Sequence, residues 1–258
     1  GSLVITQSPA AGTLVGNGVF NITITVTDAA GNFSTCTNTF TVTDVTAPTI
    51  TTCAPAVTIP ATSGCGAVMP NVTGGVVATD NCTAAGSLVI TQSPAAGTAI
   101  PAGPTTVTIT VKDAANNTTT CTTTVTVTDQ TAPVITTCAS NVTIPATAGC
   151  GAVMPNVTGG VVATDNCTAA GSLVITQSPA AGAAIPAGPT TVTITVKDAA
   201  NNTTTCTAVV TVTDQTAPVI TTCAPAATIP TSTTSCTGTM PDLTTGVVAT
   251  DNCTAAGS

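Results

Sequence analysis

From Thr106 to Lys112 the chain reads Thr-Val-Thr-Ile-Thr-Val-Lys, and Thr122 to Thr128 alternates in the same way around Val125 and Val127. A period of two puts the aliphatic side chains on one face of an extended strand and the threonines on the other. Between the two runs lies Asp113-Ala-Ala-Asn-Asn117, a cluster of turn formers, so the pair predicts a hairpin of half-buried strands. Further short apolar runs are set off by Gly, Pro and Asn. Pro133–Cys138 and Asn141–Pro145 predict an interrupted first strand whose prolines suit an edge, and Gly151–Met154 and Ser172–Gln177 predict others. Stretches of helical period are absent.

The pattern returns at a fixed spacing. Gly-Ser-Leu-Val-Ile-Thr-Gln-Ser-Pro begins at Gly1, Gly86 and Gly171, and a bare Gly-Ser follows at Gly257, one residue late. A period of 85 residues is long enough for each repeat to bury a core of its own. About seven short strands per repeat, with turn signals between them, predict an immunoglobulin-like sandwich. The fold class is therefore all-β: tandem immunoglobulin-like β-sandwich repeats of about 85 residues, end to end.

Composition narrows the chemistry. The only aromatic residues are Phe20, Phe33 and Phe40, so Val, Ile, Leu and Thr methyl groups are expected to fill the core. Such a core is thin, and 12 cysteines, four per period, offer covalent support. Regular cysteines in a chain of this kind imply disulfides and an extracellular or cell-surface location. Zinc is the competing reading, weakened by the lack of His and of any Cys-x-x-Cys pair. A net charge of −8, with only Lys112 and Lys197 as cations, excludes nucleic acid as a partner. No apolar run approaches the roughly 18 residues of a membrane span, and no signal segment is present, so the chain reads as a piece of something longer.

Asp129-Gln-Thr-Ala-Pro-Val-Ile-Thr-Thr-Cys138, Gly149-Cys150-Gly-Ala-Val, Ala163-Thr-Asp-Asn-Cys167 and Lys197-Asp-Ala-Ala-Asn-Asn-Thr-Thr-Thr-Cys206 recur in order and closely resemble the hyalin repeat (HYR) family. The resemblance covers the whole chain. It implies immunoglobulin-like extracellular domains, of the kind found in bacterial surface proteins and in animal adhesive and matrix proteins. The Asn156–Val162 insert departs from it, and in the hairpin loop Gly-Asn survives only at Gly31 and Asn32, with Asn-Asn in the later copies. The family frame sets complete domains at 45–129 and 130–214. Residues 1–44 are then a C-terminal half repeat and 215–258 an N-terminal half, completed by a neighbouring copy or by further chain.

In such a sandwich the first and last strands run parallel and adjacent, so Cys53 is expected to pair with Cys121, and Cys138 with Cys206. Cys65 with Cys82, Cys150 with Cys167, and Cys236 with Cys253 would pin the insert against the sandwich. A rival pairing, Cys53 with Cys65 and Cys82 with Cys121, stays open. Cys36 and Cys223 are left to bond neighbouring copies, or to remain free thiols.

Nine of the ten Asp occupy three repeat-locked places: Asp44, Asp129 and Asp214 at the junctions; Asp80, Asp165 and Asp251 before a cysteine; Asp28, Asp113 and Asp198 in the hairpin loop. Sandwich topology gathers Asp44, Asp80 and Asp113 at one entry end, and Asp129, Asp165 and Asp198 at the next, as candidate hard-oxygen sites for Ca²⁺. The competing reading has each Asp capping its own turn. No other cofactor is required. Candidate glycosylation sequons begin at Asn21, Asn32, Asn71, Asn156 and Asn166.

No catalytic constellation is visible: His is absent, and Lys112 and Lys197 read as solvated ion pairs with Asp113 and Asp198. The chain is expected not to be an enzyme. It reads as a structural component of an extracellular filament, stalk or matrix fibre. The alternative is the repeat region of a cell-surface adhesin that binds a glycan or protein receptor. The expected partner is self, through end-to-end repeats or a homopolymer, with an unidentified surface receptor under the alternative.

Overall fold

The computed structural model describes residues 1–254, so the restart of the repeat at Gly257 lies outside the described residues. The chain divides into two compact units, Gly1–Thr128 and the residues from Asp129 onwards. Among the described residues there is no α-helix, only strands and single 3₁₀ turns.

The repeat 45–129 contains eight strands: β1 (Thr49–Thr52), β2 (Val57–Pro60), β3 (Gly66–Val68), β4 (Val77–Thr79), β5 (Val89–Ser93), β6 (Ala99–Pro101), β7 (Gly103–Lys112) and β8 (Thr118–Thr128). One layer is a four-stranded sheet in the order β2-β8-β7-β5. Its centre is the β7–β8 hairpin, paired from Gly103 with Val127 to Lys112 with Thr118, and β2 joins the outer edge of β8 in parallel. The other elements form two antiparallel pairs, β1 with β4 and β3 with β6. The expected interrupted first strand is thus divided between two sheets, because β1 bonds to β4 whereas β2 bonds to β8.

Alternation along the hairpin becomes burial. Val107, Ile109, Val111 and Val125 have no exposed surface, while Thr106 and Thr108 on the other face are exposed. In the repeat 130–214 the matching residues Val192, Ile194, Val196 and Val210 pack in one cluster with Ala152, Ala163 and Ile185, which come from the short strand pairs. Burying each of the Val and Ile side chains contributes about 1.5–3 kcal/mol. The core is not limited to Val, Ile, Leu and Thr. Met69 and Met154, each 1% exposed, fill it just after β3 and its equivalent, where an unbranched side chain fits an irregular gap.

The two ends of the chain carry complementary parts of this plan. Strands Val4–Ser8, Gly18–Thr27 and Phe33–Val42 form a three-stranded sheet matching β5, β7 and β8. Val219–Thr222 pairs with Val248–Thr250, matching β1 and β4. Residues 227–230, which match β2, form no strand. Phe33 and Phe40 lie on the first sheet 70% and 49% exposed.

Candidate functional site

Three loops meet at the entry end of the repeat 45–129. Asp44 stands where the chain enters, Asp80 follows β4, and Asp113 opens the β7–β8 hairpin loop. Each aspartate first serves its own turn. Thr46 N donates to Asp44 Oδ1 (3.1 Å), and Cys82 N and Thr83 N donate to Asp80 Oδ2 (3.0 and 2.8 Å). Asn117 N donates to Asp113 Oδ1 (2.7 Å), and Asn117 Nδ2 to Asp113 Oδ2 (2.8 Å). Asn117 Nδ2 also reaches the backbone carbonyl of Asp44 (3.2 Å), and Thr83 Oγ1 accepts from Ala114 N (3.2 Å). The loops are therefore cross-linked by hydrogen bonds before any ion is considered.

Turn capping accounts for only part of the carboxylate surface. Asp44 Oδ2 and Asp80 Oδ1 are buried and accept no hydrogen bond, and Asp44 as a whole is only 9% exposed. Carboxylate oxygens of Asp44, Asp80 and Asp113 lie within 4.8 Å of one another, with Asp113 itself 2% exposed. At that separation each like-charged pair repels by about 3.5 kcal/mol at an effective dielectric of about 20. Leaving a buried acceptor without a donor adds about 1–3 kcal/mol. A divalent cation removes both costs, and an all-oxygen donor set with backbone carbonyls nearby suits a hard ion such as Ca²⁺.

The same arrangement recurs in the second unit. Asp129 Oδ1 accepts from Thr131 N (3.1 Å), Asp165 Oδ2 from Cys167 N and Thr168 N (2.9 and 2.8 Å), and Asp198 from Asn202 N and Nδ2 (both 2.8 Å). Asp129 Oδ2 and Asp165 Oδ1 are the buried oxygens without partners, and the three carboxylates again lie within 4.8 Å. The last partial repeat holds two thirds of the set. Asp214 caps Thr216, and Asp251 Oδ1 is buried without a partner. The third member's counterpart, Asp28, is half-buried just after the strand Gly18–Thr27, where hydrogen bonds led by the Asn32 side chain hold its carboxyl below the usual range.

Disulfides join Cys53 to Cys121 and Cys138 to Cys206, each with Cα atoms 6.2 Å apart. These bonds exclude the rival pairing of Cys53 with Cys65 and Cys82 with Cys121. The expected short pairs are corrected. Cys82 is an exposed thiol and so does not bond Cys65, Cys150 bonds Cys253 and so does not bond Cys167, and Cys236 is an exposed thiol without Cys253. Cys65 and Cys167 are themselves in disulfides. Topology gives the reason. The turn carrying Cys65 lies beside Thr128 at the far end of β8, where Ala61 N donates to Thr128 O (2.8 Å). Cys82 lies in the Asp80 loop beside the start of β8, and a strand of 11 residues separates the ends by about 35 Å. Cys36 and Cys223 are exposed thiols. Partial desolvation, then the carboxylates of Asp44, Asp80 and Asp113, push the Cys82 thiol above its usual range.

What pins the insert is a glutamine that composition alone did not single out. Gln92 on β5 accepts from Val72 N (2.8 Å) and donates to the carbonyls of Pro70 and Pro94 (3.0 and 3.1 Å). Gln177 does the same for Val157, Pro155 and Pro179. The expected Lys–Asp pairs do not form. Lys112 Nζ donates to Asn116 Oδ1 (3.2 Å) and Lys197 Nζ to Asn201 Oδ1 (3.3 Å), because Asp113 and Asp198 are buried in their loops. Of the sequon asparagines, Asn21, Asn32, Asn71 and Asn156 are exposed, while Asn166 is half-buried beside Asp165 with its Nδ2 3.3 Å from Cys167 Sγ. The Asn71 and Asn156 side chains already cap their own Thr73 and Thr158.

No curated protein matches the chain. Among solved structures it is similar to Protocadherin Gamma B2 extracellular cadherin domains 1-5, with 12% identity and a TM-score of 0.36 over 77% of this chain and 46% of that one. Mouse clustered PcdhgC3 EC1-3 gives 14% identity and 0.33 over 77% and 79%, and the human Desmocollin-1 ectodomain 14% and 0.29 over 84% and 56%. The chain spans about half the length of the first of these. The HYR domain model matches residues 43–127 and 128–212, in tandem and over more than half of the sequence, and the chain belongs to the HYR domain family.

Proposed function

We propose that this chain is building material for an extracellular filament, stalk or matrix fibre, made of disulfide-held HYR repeats that Ca²⁺ stiffens at each entry end. Tandem HYR repeats with internal disulfides have an adhesive or structural role outside the cell. The structural choice is supported by near-identity. Residues 86–122 and 171–207 differ only at Thr98 and Ala183, hairpin loops included. Repeats that each recognise a different ligand would vary those loops, whereas repeats that bear load need only be reproduced.

The observation that carries the calcium reading is that successive repeats leave the same atoms unpartnered. Asp44 Oδ2 and Asp80 Oδ1 in one, and Asp129 Oδ2 and Asp165 Oδ1 in the next, are the acceptors that an ion would fill. Asp113 and Asp198 would complete the carboxylate ligands. The bound ion would supply two positive charges and fix three loops that hydrogen bonds alone hold against their own repulsion.

Calorimetric titration of the 258-residue chain with Ca²⁺ tests this. Two sites per chain are expected, one for each complete Asp triad. An absence of binding heat, together with melting that is the same in EDTA and in Ca²⁺, overturns it. In a solid-phase screen of the same chain, tight binding to one glycan or receptor would move the assignment to an adhesin repeat region.

A further inference from the structure

The bond between Cys150 and Cys253 crosses from one repeat to the next. Cys150 lies in a tight turn where Thr147 N donates to Gly151 O (2.7 Å) and Cys150 N to Thr147 O (3.1 Å). That turn stands at the exit end of the repeat 130–214, because Ala146 N donates to the carbonyl of Thr213, the last residue of the final strand (2.9 Å). Cys253 belongs to the Asp251 loop of the following repeat, whose entry residue Asp214 comes directly after Thr213. Their Cα atoms are 4.4 Å apart across 103 residues of sequence. The disulfide therefore staples the exit of one repeat to the entry of its successor.

The period assigns every cysteine of this kind to one side of such a staple. Cys65, Cys150 and Cys236 occupy the exit turn, and Cys82, Cys167 and Cys253 the Asp loop. The turn around Cys236 is closed in the same manner, Ser232 N donating to Thr237 O (2.8 Å), although it holds one more residue. The loop around Cys82 is likewise built as the one around Cys253. In both, the cysteine N–H donates to the preceding aspartate, at 3.0 Å to Asp80 and 3.2 Å to Asp251. Yet Cys82 and Cys236 are exposed thiols.

We propose that Cys236 and Cys82 are the two open halves of this inter-repeat staple. Cys236 bonds the Asp-loop cysteine of the HYR repeat that follows, and Cys82 the exit-turn cysteine of the repeat before. A second copy of this chain presents both mates, Cys82 to Cys236 and Cys236 to Cys82. Each junction between copies is then closed twice, once by this staple and once by Cys223 with Cys36. Forming the staple converts two thiols into one S–S bond. Two protons and two electrons pass to a disulfide oxidant such as oxidised glutathione, which leaves as two reduced thiols.

The inference rests on the filament reading only in taking repeats to follow one another, and it is tested by other means. A Cys36→Ser/Cys223→Ser chain, oxidised in a glutathione buffer, retains Cys82 and Cys236 as its open thiols. On a non-reducing denaturing gel it should give a ladder at multiples of 24.6 kDa that collapses on reduction. Cleavage before aspartate should release fragment 80–112 disulfide-linked to fragment 214–241. Adding Cys82→Ser should abolish the ladder. The same fragment map on the unmodified oxidised chain guards against a folding defect in the variants. Monomer with both cysteines open to alkylation, or fragment 80–112 linked to 44–79 through Cys65, overturns the proposal. Calcium titration is independent of these cysteines, so a failure here and a failure of the calcium reading can be told apart.

Discussion

Replacing Asp80 and Asp165 by Asn separates turn capping from ion binding at a single atom. In each loop the Oδ2 that caps two backbone N–H groups has a counterpart in the Asn carbonyl, while the oxygen that is buried without a partner becomes an amide. In EDTA the change removes two like-charge pairs per site, each within 4.8 Å and worth about 3.5 kcal/mol at a dielectric of about 20. Salt and partial exposure reduce the total to about 1–3 kcal/mol. At about 4–8 °C per kcal/mol for a domain of this size, the double variant should melt above the parent by roughly 5–20 °C. With Ca²⁺ at about 1,000 times its dissociation constant the parent gains about 4.1 kcal/mol and the variant little, so the order should reverse. Without Trp or Tyr, intrinsic fluorescence is a poor reporter, and scanning calorimetry or far-ultraviolet circular dichroism should be used. A variant that melts below the parent in EDTA, or that gains as much from Ca²⁺, would refute the reasoning.

Other perturbations address the scaffold. Ile109→Ala, at a site with no exposed surface, should cost about 2–5 kcal/mol by chemical denaturation, and Thr108→Ala on the opposite face less than about 0.5. Cys53→Ser/Cys121→Ser opens a 68-residue loop and should lower unfolding free energy by about 4 kcal/mol, read from denaturant midpoints in Ca²⁺. Gln92→Ala strands Val72 N and the Pro70 carbonyl, so about 2 kcal/mol should be lost and amide exchange should rise in residues 70–76 before the rest of the repeat. Gly66→Ala would place a Cβ 2.7 Å from the Ile100 carbonyl oxygen, breaking the β3–β6 pair and with it the turn that carries Cys65, which limited proteolysis should detect.

The hairpin was legible because its alternation is long and strict. Its ten pairs nevertheless begin before the runs Thr106–Lys112 and Thr122–Thr128 that announced it, at Gly103 on one strand and Thr118 on the other. The three-residue strands around Ala67 and Ala78 leave too little pattern to show which neighbour each would choose. The spacing of Asp44, Asp80 and Asp113 is plain in the repeat, but which oxygen each turn consumes is decided by backbone geometry. The short cysteine pairs were misread for a different reason. A period shows which positions are equivalent, not which copies meet, and Cys150 finds its mate in the next repeat. Gln92 gave no signal because one polar residue on a strand looks like any exposed one until the proline-flanked insert folds over it.

The bond between Cys53 and Cys121 has a mechanical consequence. Pulled from its two termini, a repeat transmits tension from residue 53 straight to residue 121, and the 68-residue loop that holds most of the sandwich bears none of it. Only residues 45–53 and 121–129 are free to extend, a reserve of at most about 60 Å at roughly 3.5 Å per residue. An oxidised fibre of such repeats should behave as a cable of nearly constant length, and reductant should turn it into a long, compliant spring.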